Sequence, residues 1–489
     1  MADAFRLSDM VRHGAEPPPA AIIARQSWYP WLIVGVTCVG AFMGQLDASI
    51  VQLALPTLAT AFDASLASVS WVSLAYLLAF ASCLPISGRL CEMFGRKLLY
   101  LFGYLLFTVA TVLCGLASDL NWLVVFRVLQ GIGGSLLGAN SISILVNAVD
   151  RGRRARAMGI FAAAQAVGVS AGPVIGGLLL GLLGWRWMFW ASAPFGFIVA
   201  AIGWWALPQT TGLATDKVFD FRGALLLIPA LTAVMLTINQ VTEWGPTSPR
   251  LLAVAGLGVV FMVLLVRREQ ATKFPLVDLR LFGVPAFSCG AVAVAMGYAM
   301  LYGMFFLMSF ALVRGYHDSP QLAGLRLAVI PVALGLVAPF SGALSERLGN
   351  RTLCVLGMAI CVAALAAMAV IALEPDVSRR VGLCALAAFG AGLGVFIAPN
   401  NHATIDAAPA ALSGEAGAML NLMRVLGTSL GVASASAMLS WRYEAVGHGR
   451  GLMPPEHALL GAVESSLAMV AVFAVIAGLL SLVRAPAPA

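Results

Sequence analysis

Asp47 is the only acidic side chain deep inside a membrane-length apolar run of this chain, in Met43-Gly44-Gln45-Leu46-Asp47-Ala48-Ser49-Ile50. An ionised carboxylate near the middle of a bilayer costs roughly 2.5 to 3.5 kcal/mol on insertion scales, so it should face an internal cavity and bind something there, and a proton is the simplest ligand. A second polar interruption lies in the fourth apolar run, where Arg127 is followed three residues later, on roughly the same helical face, by Gln130. A buried guanidinium needs acceptors; a cation close to a carboxylate favours its ionised form, whereas burial favours the neutral one. Asp47 and Arg127 together therefore have the chemistry of a proton switch, with Gln45 and Gln130 as polar neighbours. The competing reading is structural: Asp47 as a polar staple between helices, and Arg127 as a clasp on backbone carbonyls.

The elements that must position these groups follow from composition. With 61% hydrophobic and only 10% charged residues in 489, a soluble surface of ordinary polarity cannot be built. The apolar runs lack the alternation of barrel strands, so the expected fold is all-α and polytopic, because a helix satisfies its own backbone in lipid. Runs of about 20 residues centre near positions 43, 78, 107, 133, 167, 197, 231, 258, 298, 331, 361, 388, 427 and 471, which predicts fourteen spans. Nineteen of the twenty-nine Lys and Arg residues fall in the amino tail, the carboxy tail and the loops on one side, which assigns both termini to the cytoplasm. The +7 net charge is then mostly topological, and no nucleic-acid partner is read into it. Residues 1–27, with Pro17, Pro18 and Pro19, read as a disordered cytoplasmic tail. Eight cysteines scattered along the spans and five histidines without ligand spacing predict neither a metal nor a redox centre, and no cofactor. Lys97, Lys217 and Lys273 all sit at loops, which argues against a proton-pumping respiratory subunit, and no GxxxxGK[ST] cradle for ATP is present.

A repeat organises the spans. Gly88-Arg89-Leu90-Cys91-Glu92-Met93-Phe94-Gly95-Arg96-Lys97 recurs as Gly342-Ala343-Leu344-Ser345-Glu346-Arg347-Leu348-Gly349-Asn350-Arg351, 254 positions further on. The same offset carries the start of the first span onto that of the ninth. The expected domains are a six-helix bundle over 28–207, a linker over 208–284 holding two inserted helices and an amphipathic loop, and a second six-helix bundle over 285–489. Such repeats place a transporter's site at their interface near the midplane, with access alternating as one bundle rocks against the other. In the fifth span Gly168, Gly172 and Gly176 recur every fourth residue, a face on which another backbone can approach closely, and Pro173 bends the helix.

These motifs in order, namely Leu46-Asp47-Ala48-Ser49-Ile50-Val51-Gln52-Leu53-Ala54-Leu55-Pro56, the 88–97 loop, Arg127-Val128-Leu129-Gln130-Gly131-Ile132-Gly133-Gly134 and Gly168-Val169-Ser170-Ala171-Gly172-Pro173-Val174-Ile175-Gly176-Gly177, resemble the major facilitator superfamily. Within it the resemblance is to the fourteen-helix drug/proton antiporter branch (EmrB/QacA type), with Gln52, Glu92 and Cys91 departing from its usual Asn, Asp and Ala. The resemblance implies a transporter, not an enzyme: a proton-coupled antiporter in the cytoplasmic membrane that exports amphipathic small molecules and is driven by the proton gradient, or an exporter of one metabolite or lipid on the same fold. It implies proton coupling at Asp47 and Arg127. A hinge at Gly168, Gly172, Pro173, Gly176 and Gly177 follows from it too, as does a cytoplasmic latch of Gly88, Arg89, Glu92, Gly95, Arg96 and Lys97 mirrored by Glu346, Arg347 and Arg351. Arg424, placed near the cytoplasmic end of the thirteenth span, is either a second latch element or a snorkelling cation, and Arg326 either snorkels or lines the cavity. Trp71, Tyr76, Tyr298, Tyr302, Met304 and Phe305, with Gln45 and Gln130, are candidate cavity and substrate-binding surface. With three in-span arginines against one aspartate, the substrate is expected to be a neutral, monocationic or anionic amphiphile. The expected transport unit is a monomer in the lipid bilayer, a state compatible with accessory periplasmic proteins.

Overall fold

The computed structural model describes residues 16, 18–210, 219–272, 275–371, 375–409, 412–445 and 456–482. Among them fourteen helices are long and apolar enough to cross a membrane. They are α1 (Tyr29–Ala61), α2 (Leu66–Phe94), α3 (Arg96–Leu116), α4 (Leu120–Ala148), α5 (Arg154–Leu182), α6 (Arg186–Ala206), α7 (Phe221–Trp244), α8 (Pro249–Ala271), α9 (Pro285–Phe310, extended by a π turn at Ala311–Gly315), α10 (Pro320–Leu348), α11 (Asn350–Ile371), α12 (Pro375–Asp406), α13 (Ser413–Ala445) and α14 (Glu456–Leu482). Each predicted centre falls inside its own helix.

Local chemistry sets the ends. Ser65, Ser248 and Ser319 accept from the backbone N–H three residues on and start α2, α8 and α10, while Asp119 accepts from Asn121 and Trp122 at the start of α4. The repeat is visible in the backbone: Gly95 and Gly349, 254 positions apart, end α2 and α10 with φ of 107° and 79°. Only glycine takes that conformation without strain. Gly95→Ala is therefore expected to cost about 1 to 3 kcal/mol, measured as a lower melting temperature in detergent. Part of that cost is steric, because the added methyl would meet the Glu16 carboxyl, and Glu16→Ala should relieve only that part.

Packing repeats as well. In the first half α2 lies against α4, α1 against α5 and α3 against α4; in the second, α10 lies against α12, α9 against α13 and α11 against α12. The two six-helix bundles meet along α5 with α10, α2 with α13, and α1 with α9. The inserted pair α7 and α8 packs together, and α7 covers the boundary between α2 and α13. Polar side chains fix it there. Asn239 of α7 donates to the Ser70 hydroxyl of α2 (2.9 Å), and Glu243 accepts from Ser65 (2.5 Å). At the other end of α7, Asp220 caps the helix through Gly223 N–H and pairs with Arg268 of α8 at 3.0 Å. Burial works against the Asp220 charge, but Arg268 and the cap outweigh it and hold the carboxyl below its ordinary range.

One expectation is corrected. The part of the amino tail that the structure describes is docked rather than disordered. Glu16 is buried; its carboxylate accepts from Lys97 N (2.8 Å), Leu98 N (3.3 Å) and the Thr210 hydroxyl (2.8 Å), so it caps α3. Ala20 N–H donates to the Trp205 carbonyl. A carboxylate at a helix amino terminus satisfies orphan donors and the helix dipole together, which a composition rule cannot see.

Candidate functional site

Asp47 sits halfway along α1 and meets Arg127 directly: Nη1 donates to Asp47 Oδ2 at 2.6 Å, and the two side chains are 1% and 9% exposed. Gln130, one turn further along α4, completes the cluster. Its Oε1 accepts from Arg127 Nη1 at 2.5 Å, and its Nε2 donates to Asp47 Oδ1 at 2.9 Å and to Thr111 Oγ1 at 2.8 Å. The Thr111 hydroxyl hydrogen is committed to the Phe107 carbonyl (2.7 Å), so its oxygen can only accept from Gln130. That fixes the amide orientation and leaves both carboxylate oxygens of Asp47 accepting. Arg127 Nε donates to the Val72 carbonyl at 2.8 Å, and its guanidinium lies over the Tyr76 ring, 4.4 Å from the centroid. Every bonded member of this cluster comes from α1 to α4.

The two halves are sealed against each other at one end. At the end carrying the α1–α2 loop, Gly177 of α5 abuts the Pro320 carbonyl and Gln321 Cα, and Gly324 of α10 abuts the Pro173 carbonyl. There Arg314 donates to the Pro56 carbonyl and to Thr60 Oγ1 (2.7 Å), strapping the end of α9 to α1, and Ser436 of α13 donates to the Leu66 carbonyl. At the opposite end a methyl at Gly88, Gly159 or Gly342 would meet nothing within 4 Å, and Leu336, Phe340 and Leu344 are exposed.

The structure redistributes several sequence-predicted residues. Gly168, Gly172 and Gly176 pack on α1 of their own half, against Phe42, Ser49 and Ile50; only Gly177, with Gly181 beyond it, faces α10 of the other half. The spacing identified a close contact but not its partner. Met304 and Phe305 are fully buried and present no surface to a cavity in this conformation; Tyr302 is nearly so and lies edge-on to Phe305. Trp71, Tyr298 and Gln45 are half-buried. Arg326, half-buried near the sealed end, pairs with Asp318 at 2.7 Å. Arg424 is not at the end of its helix. It lies three turns inside α13, its Nη2 donating to Asn421 Oδ1 (2.6 Å) and its guanidinium 5.8 Å from the Tyr298 ring centroid.

In the latch loop, Arg89 pairs with Glu92 at 3.0 Å, and Lys97 is buried with Nζ on the Leu207 carbonyl at 2.7 Å. Arg96 lends its backbone N–H to Thr210 Oγ1. Arg347 and Arg351 are exposed, and the Glu346 side chain lies outside the described residues. Sequence reasoning missed Thr111 and Arg314. A single threonine in an apolar run carries no signal, and Arg314 looked like an ordinary loop cation. It also missed Gly427 and Gly431 of α13, which abut the Ala295 and Ala299 carbonyls of α9 as Gly168 and Gly172 abut α1; their four-residue spacing was the available signal.

The comparisons with known proteins agree with this architecture. The Riboflavin transporter RibZ of Clostridioides difficile (strain 630) is 31% identical over 410 residues, covering 84% of this chain and 88% of that protein. The Tetracenomycin C resistance and export protein of Streptomyces glaucescens is 30% identical over 414 residues, covering 84% and 76%. Among solved structures, a bacterial homolog to the human lysosomal transporter Spinster, inward-facing and unoccupied, superposes with a TM-score of 0.69 at 18% identity over 93% of this chain and 97% of that one. The fourteen helices make the protein a multi-pass protein of the cytoplasmic membrane, a transporter and not an enzyme. Residues 37–432, which hold Asp47, Arg127 and Arg424 alike, match the model of the Major Facilitator Superfamily, and the chain belongs to that family.

Proposed function

We propose that this transporter is a proton-driven antiporter that exports amphipathic small molecules, oriented with both termini in the cytoplasm and its sealed end facing outward. The observation that carries the reading is the Asp47 carboxylate, held mid-span by Arg127 and Gln130 where the two halves meet. A proton on Asp47 Oδ1 would face the Gln130 N–H, donor against donor. Gln130 must then turn its amide, giving up its bonds to Arg127 and Thr111. Protonation therefore reorganises the whole cluster, as a switch requires. Outside, a proton on Asp47 weakens substrate holding and permits return; inside, its release restores the binding site. Differential affinity in the two states drives the exchange.

The energetics are sufficient. One charge crossing 100 mV supplies about 2.3 kcal/mol, and each pH unit about 1.4 kcal/mol. Two relatives of similar extent named multidrug resistance proteins, from Mycobacterium tuberculosis, and the tetracenomycin exporter support an amphiphile as cargo. The riboflavin transporter favours a second reading, one specific metabolite on the same fold. The test is uptake of ethidium and of riboflavin into everted vesicles, with and without an uncoupler. The native chain should accumulate a probe, and the uncoupler should abolish it. Asp47→Asn should lose about tenfold in attainable ratio for each pH unit of gradient no longer used. Undiminished, uncoupler-sensitive accumulation by Asp47→Asn would remove Asp47 from the mechanism.

A further inference from the structure

Three in-span arginines stand among the described residues, and two of them have a carboxylate: Arg127 has Asp47, and Arg326 has Asp318. Arg424 has none; its polar contact is a neutral amide and its other neighbour an aromatic ring. A cation inside a membrane protein without a counter-ion calls for a functional explanation. The second observation is geometric. Arg127, Gln130, Thr111 and Tyr76 all belong to the same half as Asp47, so rigid rocking of the halves leaves their distances to the carboxylate unchanged. A cluster of that kind can hold a proton but cannot register which way the transporter faces. A group in the other half is needed.

The groups facing Asp47 can be taken helix by helix. α2 presents Tyr76, α3 presents Thr111 and Cys114 with Tyr104 two turns away, and α4 presents Arg127. α5 and α6 carry basic residues only towards their ends, at Arg154, Arg156 and Arg186, and α10 presents Arg326, already paired. From the second half come Tyr302 on α9 and Arg424 on α13. α13 packs on α2, whose Tyr76 lies beneath the Arg127 guanidinium, and on α9, whose Tyr298 lies beside Arg424 and which itself packs on α1, so the fields of Asp47 and Arg424 reach the same phenols, Tyr76 and Tyr302.

We propose that Arg424 is the conformational sensor of the proton site: its guanidinium, carried by α13, changes its distance to Asp47 as the halves rock, and so sets how tightly the carboxyl holds a proton in each state. Arg424 is thereby a positioning residue, acting through Asp47 rather than on the cargo. The inference rests on Asp47 being the proton carrier.

The experiment is an infrared pH titration of the purified transporter without substrate, following the carboxyl band that the native protein has and Asp47→Asn lacks. Arg424→Gln removes a cation and should move the midpoint of that band upward by about one pH unit. Asn421→Asp puts a carboxylate beside the guanidinium without removing it and should move the midpoint the same way. It serves if Arg424→Gln fails to fold. Arg424→Lys keeps the charge and should restore the native midpoint. Unchanged midpoints in both Arg424→Gln and Asn421→Asp, with the Asp47 band intact, would overturn the sensor. So would weaker ethidium or riboflavin binding with no shift, which would make Arg424 a substrate contact. Absence of any Asp47-dependent band would instead sink the proton-carrier reading itself.

Discussion

Arg127→Leu is expected to destabilise the first bundle by about 3 to 5 kcal/mol, the usual consequence of leaving one partner of a buried ion pair uncompensated. The leucine removes the donor to Asp47 Oδ2, to Gln130 Oε1 and to the Val72 carbonyl together, and it uncovers the face of Tyr76. Asp47 would keep only the Gln130 N–H. Melting in detergent, followed by intrinsic fluorescence, should show the loss. Asp47→Leu combined with Arg127→Met should recover much of it, since an apolar pair of similar volume often replaces a buried ion pair at little cost. A single Arg127→Leu variant melting with the native protein would mean that the Asp47–Arg127 pair is not the buried contact described.

Gly177→Val should act on conformation more than on folding. A side chain at 177 would drive into the Pro320 carbonyl, which is backbone and cannot rotate aside. Overpacking of this kind costs about 1 to 3 kcal/mol, and here the strain exists only while the α5–α10 boundary is sealed. The sealed conformer should therefore lose about tenfold to a hundredfold in population. Ser436 is fully buried at that end, so a cysteine placed there should become reactive to an impermeant maleimide in the Gly177→Val background. Gly172→Val is the control. Its side chain would strike Ser49 of the same half, so it should lower stability without exposing position 436.

Hydropathy alone located all fourteen helices, because in lipid an apolar run of sufficient length has one way to satisfy its backbone. The charge pattern also made Asp47 and Arg127 legible, since an ionisable group at mid-span is too costly to be incidental. What the sequence could not supply was the identity of neighbours. Four-residue glycine spacing says that a backbone comes close, but not whether it belongs to the same bundle or the other, and Gly176 and Gly177 turned out to face different ones. Arg424 was placed near the end of the thirteenth span, whereas α13 runs from Ser413 to Ala445 and carries it three turns inside. Met304 and Phe305 were legible as apolar but not as inward or outward. On a helix apolar all round, hydropathy carries no direction.

The inserted pair α7 and α8 removes the equivalence of the molecule's two flanks. A greasy solute drifting within the leaflet meets a double wall of helices on the α2–α13 flank, pinned by Asn239 and Glu243. On the α5–α10 flank it meets instead a bare two-helix boundary, with Leu336, Phe340 and Leu344 of α10 exposed. If cargo enters from the bilayer, the inserted pair confines that entry to the α5–α10 flank, and the lipids beside it become part of what the transporter selects.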